Sequence, residues 1–200
     1  YTEYNGTDND AAGPNLTGLE HSLDMAEQMG DRFYAGVDLQ VYWAFRTNGY
    51  KHELVSKQPR NGAVVRHPPF QMMRMLSSCL RPALYATTST ATDTLYALVS
   101  ANSERSEFGA MLINRATTET TARLVLPAGF AIAKASGETL YEDGRNDNPI
   151  VRNLPEGGTP VDNDAALAAA AVELAGGGVE VRLPGRSLTS LIVKGSARSD

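Results

Sequence analysis

The sequence has little of what several common functional classes require. Cys79 is the only cysteine, so no disulfide can form within the chain. The lack of a disulfide neither shows nor excludes that the protein is secreted. The longest apolar stretches fall far short of the roughly 20 residues that a membrane span needs. Basic residues number 18 against 23 acidic ones, and no Lys/Arg cluster stands out. We therefore expect neither a nucleic-acid partner nor a membrane span.

Signals for a metal or cofactor are also missing. His21, His52 and His67 do not have the spacing of metal ligands. The three glycines from 176 to 178 are not followed by a predicted helix, so they do not form a phosphate-binding loop. We expect no metal and no other cofactor.

The first 81 residues show the periodicity of two strand–helix pairs. Apolar residues at Leu19, Leu23, Ala26 and Met29 recur with a helical period, and Gly30 is a natural stop for that helix. Either Thr17-Gly18-Leu19-Glu20, as a capping box, or Asn15 could cap its start. The predicted order is a strand end at 1–5, a loop at 6–14, a helix at 16–29, a strand at 36–46, a long polar loop at 47–67 and a helix at 70–80 that opens with Pro68 and Pro69. This order is typical of a parallel βα architecture.

After Pro82 the pattern changes to many short strands separated by turn residues. Strands are predicted at 83–88, 93–101, 108–115, 119–126, 129–135, 138–141, 178–183 and 186–194. Such spacing predicts an antiparallel β-sandwich. We interpret 142–177 as an insertion whose alanine-rich run, Ala165 to Ala171, forms a short helix or is poorly ordered. The predicted fold class is mainly β, with domains at 1–81 and 82–200.

The opening segment, Tyr1-Thr2-Glu3-Tyr4-Asn5, carries the most suggestive chemistry. Its carboxylate sits at the end of a predicted strand and directly before a loop. Enzymes with a (β/α)8 barrel present their reacting groups at the carboxyl ends of strands. Glu3 is therefore the candidate catalytic residue.

These features together resemble the C-terminal portion of a clan A glycoside hydrolase, in which the last two βα units of a (β/α)8 barrel precede a β-sandwich. Thr2-Glu3-Tyr4-Asn5 is similar to the strand-seven nucleophile motif of families 39, 44, 51 and 30. Met111-Leu112-Ile113-Asn114-Arg115 resembles a strand common in the sandwich of such enzymes. The segment from Leu183 to Thr189 resembles its closing strands.

The resemblance implies roles for individual residues. Glu3 matches the nucleophile, and Trp43 matches an aromatic residue that lines the innermost sugar subsite. Tyr4 and Asn5 would border the nucleophile, and Tyr42 would do so less directly. The acid/base carboxylate of these enzymes lies on strand four, for which this chain has no counterpart.

Two functional hypotheses remain open. The first is the C-terminal part of a retaining glycoside hydrolase that acts on a polysaccharide or oligosaccharide, incomplete and inactive without its N-terminal barrel portion. The alternative is a non-catalytic β-sandwich module that is structural, carbohydrate-binding or protein-binding. An extracellular or periplasmic location is favoured.

Overall fold

The structure, a computed structural model, describes residues 18–41, 54–57, 64–91, 93–142 and 165–197. The chain divides into two compact units, one comprising 1–74 and 142–166 and the other 75–141 and 167–200. The predicted domain limits, 1–81 and 82–200, remain a prediction.

The described residues contain two helices and eleven strands. The helices are α1 (Leu19–Tyr34) and α2 (Pro68–Cys79). The strands are β1 (Val55–Lys57), β2 (Val64–Arg66), β3 (Ala83–Tyr85), β4 (Leu95–Ala101), β5 (Glu107–Asn114), β6 (Thr120–Val125), β7 (Phe130–Glu142), β8 (Ala165–Ala169), β9 (Ala171–Ala175), β10 (Gly178–Leu183) and β11 (Ser187–Ala197). The predicted class, a mainly β fold with helices preceding an antiparallel sandwich, is confirmed.

Helix α1 runs further than its sequence predicts. Gly30 was expected to end it, but the helix continues to Tyr34, and Gly30 is buried inside it. A helical glycine costs about 1 kcal/mol relative to alanine, a cost that packing of the buried face can offset. The true stop is Gly36, whose φ of +86° is the left-handed conformation that glycine adopts readily. The predicted capping box is also wrong, because the N-cap is Gly18, which makes no side-chain cap bond.

The predicted strand at 36–46 is only partly described. Residues 37–41 have no regular secondary structure, and 42–46 lie outside the described residues. A strand needs hydrogen-bonded neighbours, and its predicted neighbour at 1–5 also lies outside the described residues, as does the loop at 6–14. The polar loop predicted at 47–67 contains the antiparallel pair β1–β2, in which Val55 lies opposite Arg66.

Helix α2 confirms the prediction of a helix opened by two prolines. Proline is tolerated in a first turn because its missing N–H would have no helical acceptor there. The buried side chains of α2 include Met72, Met75, Leu76 and Cys79, whereas Phe70 and Met73 are half-buried.

The sandwich consists of two antiparallel sheets. The larger has six strands in the order β3-β4-β5-β11-β7-β8, and the smaller has three in the order β6-β10-β9. The central strand β5 pairs with β4 on one side and β11 on the other. The expected strands at 129–135 and 138–141 form one long strand, β7, and a register shift occurs between Lys194 and Gly195 of β11.

The core of the sandwich lies between the two sheets. Phe108 is fully buried in it and packs edge-to-face with Tyr85 and Phe130, at ring-centroid distances of 5.5 and 4.9 Å. Edge-to-face pairs match the positive ring edge to the negative ring face. The other buried members are Val99, Ala101, Ala110, Leu112, Ala122, Leu126, Val179, Val181, Leu183, Leu191 and Val193.

The alanine-rich run forms two strands, which overturns the expectation of a helix or disorder. Strand β8 lies at the edge of the large sheet and β9 at the edge of the small one. Between them, Ala170 donates its backbone N–H to the carbonyl of Gly137 at 3.0 Å. Alanine has a high helix propensity, but pairing with β7 and β10 supplies backbone hydrogen bonds that outweigh this weak preference.

Candidate functional site

None of the five predicted site residues can be placed in the structure. Glu3, Tyr4, Asn5, Tyr42 and Trp43 all lie outside the described residues. Their roles therefore remain predictions. What the structure does show is how the described elements next to these residues are held.

The segment that leads into Tyr42 is anchored to helix α1. At the end of α1, the N–H of Gly36 donates to the carbonyl of Phe33 and the N–H of Val37 to that of Arg32, both at 3.0 Å. This pair of backbone hydrogen bonds is a common way for a helix to end, and it turns the chain sharply. Four residues beyond the turn, the side-chain Nε2 of Gln40 donates to the carbonyl of Met29 at 2.8 Å.

The antiparallel pair β1–β2, within the predicted polar loop at 47–67, is joined to helix α2 through His67. The N–H of His67 donates to the carbonyl of Leu54 at 2.9 Å. The carbonyl of His67 accepts from the N–H of Phe70 at 2.9 Å and of Gln71 at 3.3 Å. The guanidinium of Arg66 lies 5.4 Å from the ring centre of Phe70, a cation–π contact. This part of the loop is therefore fixed to the start of α2.

A group of three charged residues joins the end of α2 to the large sheet. Glu107 accepts from Arg81, with Nε at 2.5 Å from Oε1, and from Lys194, with Nζ at 3.0 Å from Oε2. The hydrogen bond from Lys194, helped by Arg81, holds the pKa of Glu107 below its ordinary value. Arg81 also donates to the carbonyls of Ser78 and Leu80. The partners of Arg81 lie in the large sheet and at the end of α2, and none is a predicted site residue. We therefore assign the group Arg81, Glu107 and Lys194 a role in stabilising the fold.

Cys79 has no sign of reactivity. Burial raises the pKa of its thiol to about 12, so the thiolate is scarce near neutral pH. Its Sγ lies 3.5 Å from the carbonyl of Leu76 within the same helix. Its 1% exposure places it among the buried residues of α2.

The two sandwich segments that carry the resemblance meet at one corner. Asn114, which is 1% exposed, pairs with Ser187 across β5 and β11. Its Nδ2 lies 3.0, 3.2 and 2.9 Å from the carbonyls of Thr118, Leu183 and Pro184. Its Oδ1 accepts from the N–H of Ala116 at 3.0 Å. Asn114 therefore ties the end of β5 to the turn between β10 and β11.

The sandwich offers no aromatic platform for a sugar within its described residues. All its described aromatic residues are buried or half-buried, namely Tyr85, Tyr96, Phe108, Phe130 and Tyr141. The face-on stacking of a sugar requires an open ring. In the same described ranges, no cluster of three or more His, Cys, Asp or Glu residues could hold a metal ion. Neither described helix has the length and apolarity to cross a membrane.

Comparison with solved structures places this fold among glycoside hydrolases. The family 30 subfamily 8 xylanase of Clostridium acetobutylicum matches with a TM-score of 0.65 and 13% identity over 97% of this chain. The family 51 arabinofuranosidase of Xanthomonas axonopodis pv. citri matches with a TM-score of 0.64 and 14% identity over 96%. A bifunctional glucanase-xylanase from a metagenome library matches with a TM-score of 0.61 and 18% identity over 98%.

The chain spans less than half the length of these proteins, at 42%, 40% and 30% of the three. No protein-family description matches the sequence, and no curated protein is significantly similar to it. The resemblance to clan A glycoside hydrolases is thus confirmed for the fold, and the coverage fits a C-terminal portion. At these identities the likeness concerns the fold alone.

Two described residues with a role in holding the structure escaped the sequence analysis. Gln40 received no role of its own within the predicted strand at 36–46, and Asn114 was considered only as part of a motif. A polar residue between the apolar neighbours Leu39 and Val41 was the available signal for Gln40. Its partner is a backbone carbonyl in α1, which no side-chain pattern could have identified.

Proposed function

We propose that this chain is the C-terminal part of a retaining glycoside hydrolase that acts on a polysaccharide or oligosaccharide, with Glu3 as its nucleophile. The observation that carries the proposal is the likeness, over 96–98% of the chain, to solved xylanases, a glucanase-xylanase and an arabinofuranosidase. The Thr2-Glu3-Tyr4-Asn5 motif adds independent support, because it is similar to the nucleophile motif of the same clan.

The proposed reaction uses two carboxyl groups in two steps. The ionised carboxylate of Glu3 attacks the anomeric carbon while a second, protonated carboxyl group gives its proton to the departing sugar oxygen. Water then cleaves the glycosyl ester with help from the same second group, which takes up the water proton. In retaining enzymes the two groups lie about 5 Å apart. We propose that the second group belongs to a barrel portion outside this chain.

The proposed substrate contacts surround Glu3. Tyr4 and Asn5 follow it directly in sequence, and Tyr42 and Trp43 come from the next predicted strand. An aromatic ring suits the apolar C–H face of a sugar because it is flat and loses little entropy on binding. We expect Trp43 to provide the main stacking surface. The partners are thus a carbohydrate and the remaining part of the barrel.

Replacing Glu3 in the enzyme that contains this chain tests the proposal. Glu3→Gln should nearly abolish turnover of an aryl glycoside, because a neutral amide cannot form the ester intermediate. Azide added to Glu3→Ala should attack the anomeric carbon from the vacated side as the aryl group leaves. The product should be a glycosyl azide of inverted configuration, detectable by NMR.

Glu20→Gln is the matched control, because Glu20 is an exposed glutamate on α1. It should leave turnover unchanged. Near-normal activity of Glu3→Gln on an activated substrate would refute the assignment of Glu3. Turnover by the 200-residue chain on its own would refute the proposal that its catalytic machinery is incomplete.

For the sandwich we propose a structural role. The absence of an open aromatic ring among its described residues argues against a carbohydrate-binding surface there. Calorimetry with xylo- and arabino-oligosaccharides, on the chain and on its Trp43→Ala variant, would separate the alternatives. Binding that survives Trp43→Ala would favour a binding site on the sandwich.

A further inference from the structure

We draw no further inference here: the strongest candidate, the apolar strand β8 (Ala165–Ala169) at the edge of the large sheet, carries none because nothing in the described residues shows what covers that edge.

Discussion

The two faces of strand β5 are packed in different ways. On the face toward the small sheet, Phe108, Ala110 and Leu112 contribute side chains to a shared apolar core. On the opposite face, Gly109 leaves room for backbone, and a Cβ there would overlap the carbonyl oxygen of Cys79 at the end of α2. The first face is packed by side chains and the second, at this point, by main chain.

The difference decides which changes each face tolerates. Side chains can adopt other rotamers and neighbours can repack, so a core of this kind accepts changes of moderate size. A main-chain carbonyl held by helical geometry cannot move without moving the helix end. We therefore expect an added methyl group at Gly109 to cost more than the loss of several atoms at Phe108.

The largest effect is expected for Gly109→Ala. The added methyl group must displace the end of α2, and we expect a loss of at least about 3 kcal/mol in the free energy of unfolding, the upper end for overpacking. Urea denaturation followed by circular dichroism measures this. Gly129→Ala is the control, because a Cβ there meets nothing within 4 Å. Its φ of +82° should cost about 1 kcal/mol. If Gly109→Ala and Gly129→Ala lost the same free energy of unfolding, the contact with the carbonyl of Cys79 would not explain the cost at Gly109.

The next effect is expected at the far end of β5. Asn114→Leu keeps the size of the side chain but deprives the carbonyls of Thr118, Leu183 and Pro184 of their shared donor. Leaving buried polar groups unsatisfied costs about 1–3 kcal/mol, and we expect about 2.5 kcal/mol by the same urea titration. Asn102→Leu should cost less, because two hydrogen bonds of the Asn102 side chain, both with Ser106, are exposed to water and the third, from the N–H of Glu107, is only partly buried. A cost for Asn114→Leu no greater than that for Asn102→Leu would show that the corner is not important for stability.

A smaller loss is expected for Phe108→Leu on the side-chain face. This variant loses two edge-to-face ring pairs worth about 1 kcal/mol each, so we expect about 2 kcal/mol in total. Phe130→Leu loses only one of the two pairs and should cost about half as much. If Phe108→Leu lost more free energy of unfolding than Gly109→Ala, the side-chain face of β5 would be the less tolerant of the two, contrary to our expectation.

The smallest effect concerns Glu107 and depends on pH. Since its pKa is lowered in the folded state, the carboxylate stabilises the fold above its ordinary pKa of 4.5. That contribution is lost as the pH falls from 4.5 through the lower, folded pKa. Glu107→Gln should therefore reduce the difference in unfolding free energy between pH 7 and pH 3, by about 1 kcal/mol or less for such partly exposed ion pairs. The same pH dependence in the variant and the parent would contradict this.

Much of the sandwich could be predicted because its strands carry strong local signals. The segment at 178–183, with Val179, Val181 and Leu183 alternating toward the core, was predicted at its observed limits. The incorrect predictions concern segments in which strand pairing with distant parts of the chain outweighs a weak local preference for helix. The alanine-rich run from Ala165 to Ala171 was predicted as a short helix or as poorly ordered, yet it belongs to strands at the edges of two different sheets.

For the candidate site the sequence offered residue types only. A carboxylate at a predicted strand end and a tryptophan in the next predicted strand suggested sugar chemistry. The fold is similar to that of glycoside hydrolases, and the site residues themselves remain a prediction. Residues that act through the backbone were not predictable. The bond of Gln40 to Met29 joins positions 11 residues apart across a turn, and one of its partners is a carbonyl that every residue possesses.

The sequence by itself determined that two helices precede the strands of the sandwich, the mainly β class and the absence of any disulfide within the chain, because each depends on local periodicity or on a count. Only the tertiary structure decided that β8 and β9 divide between two sheets, that α1 passes through Gly30 and ends at Tyr34 before the turn at Gly36, and that Gly109 lies against the end of α2. These choices depend on which distant backbone groups come within hydrogen-bonding or contact distance. That proximity is a property of the folded chain, and it has no local signature in the sequence.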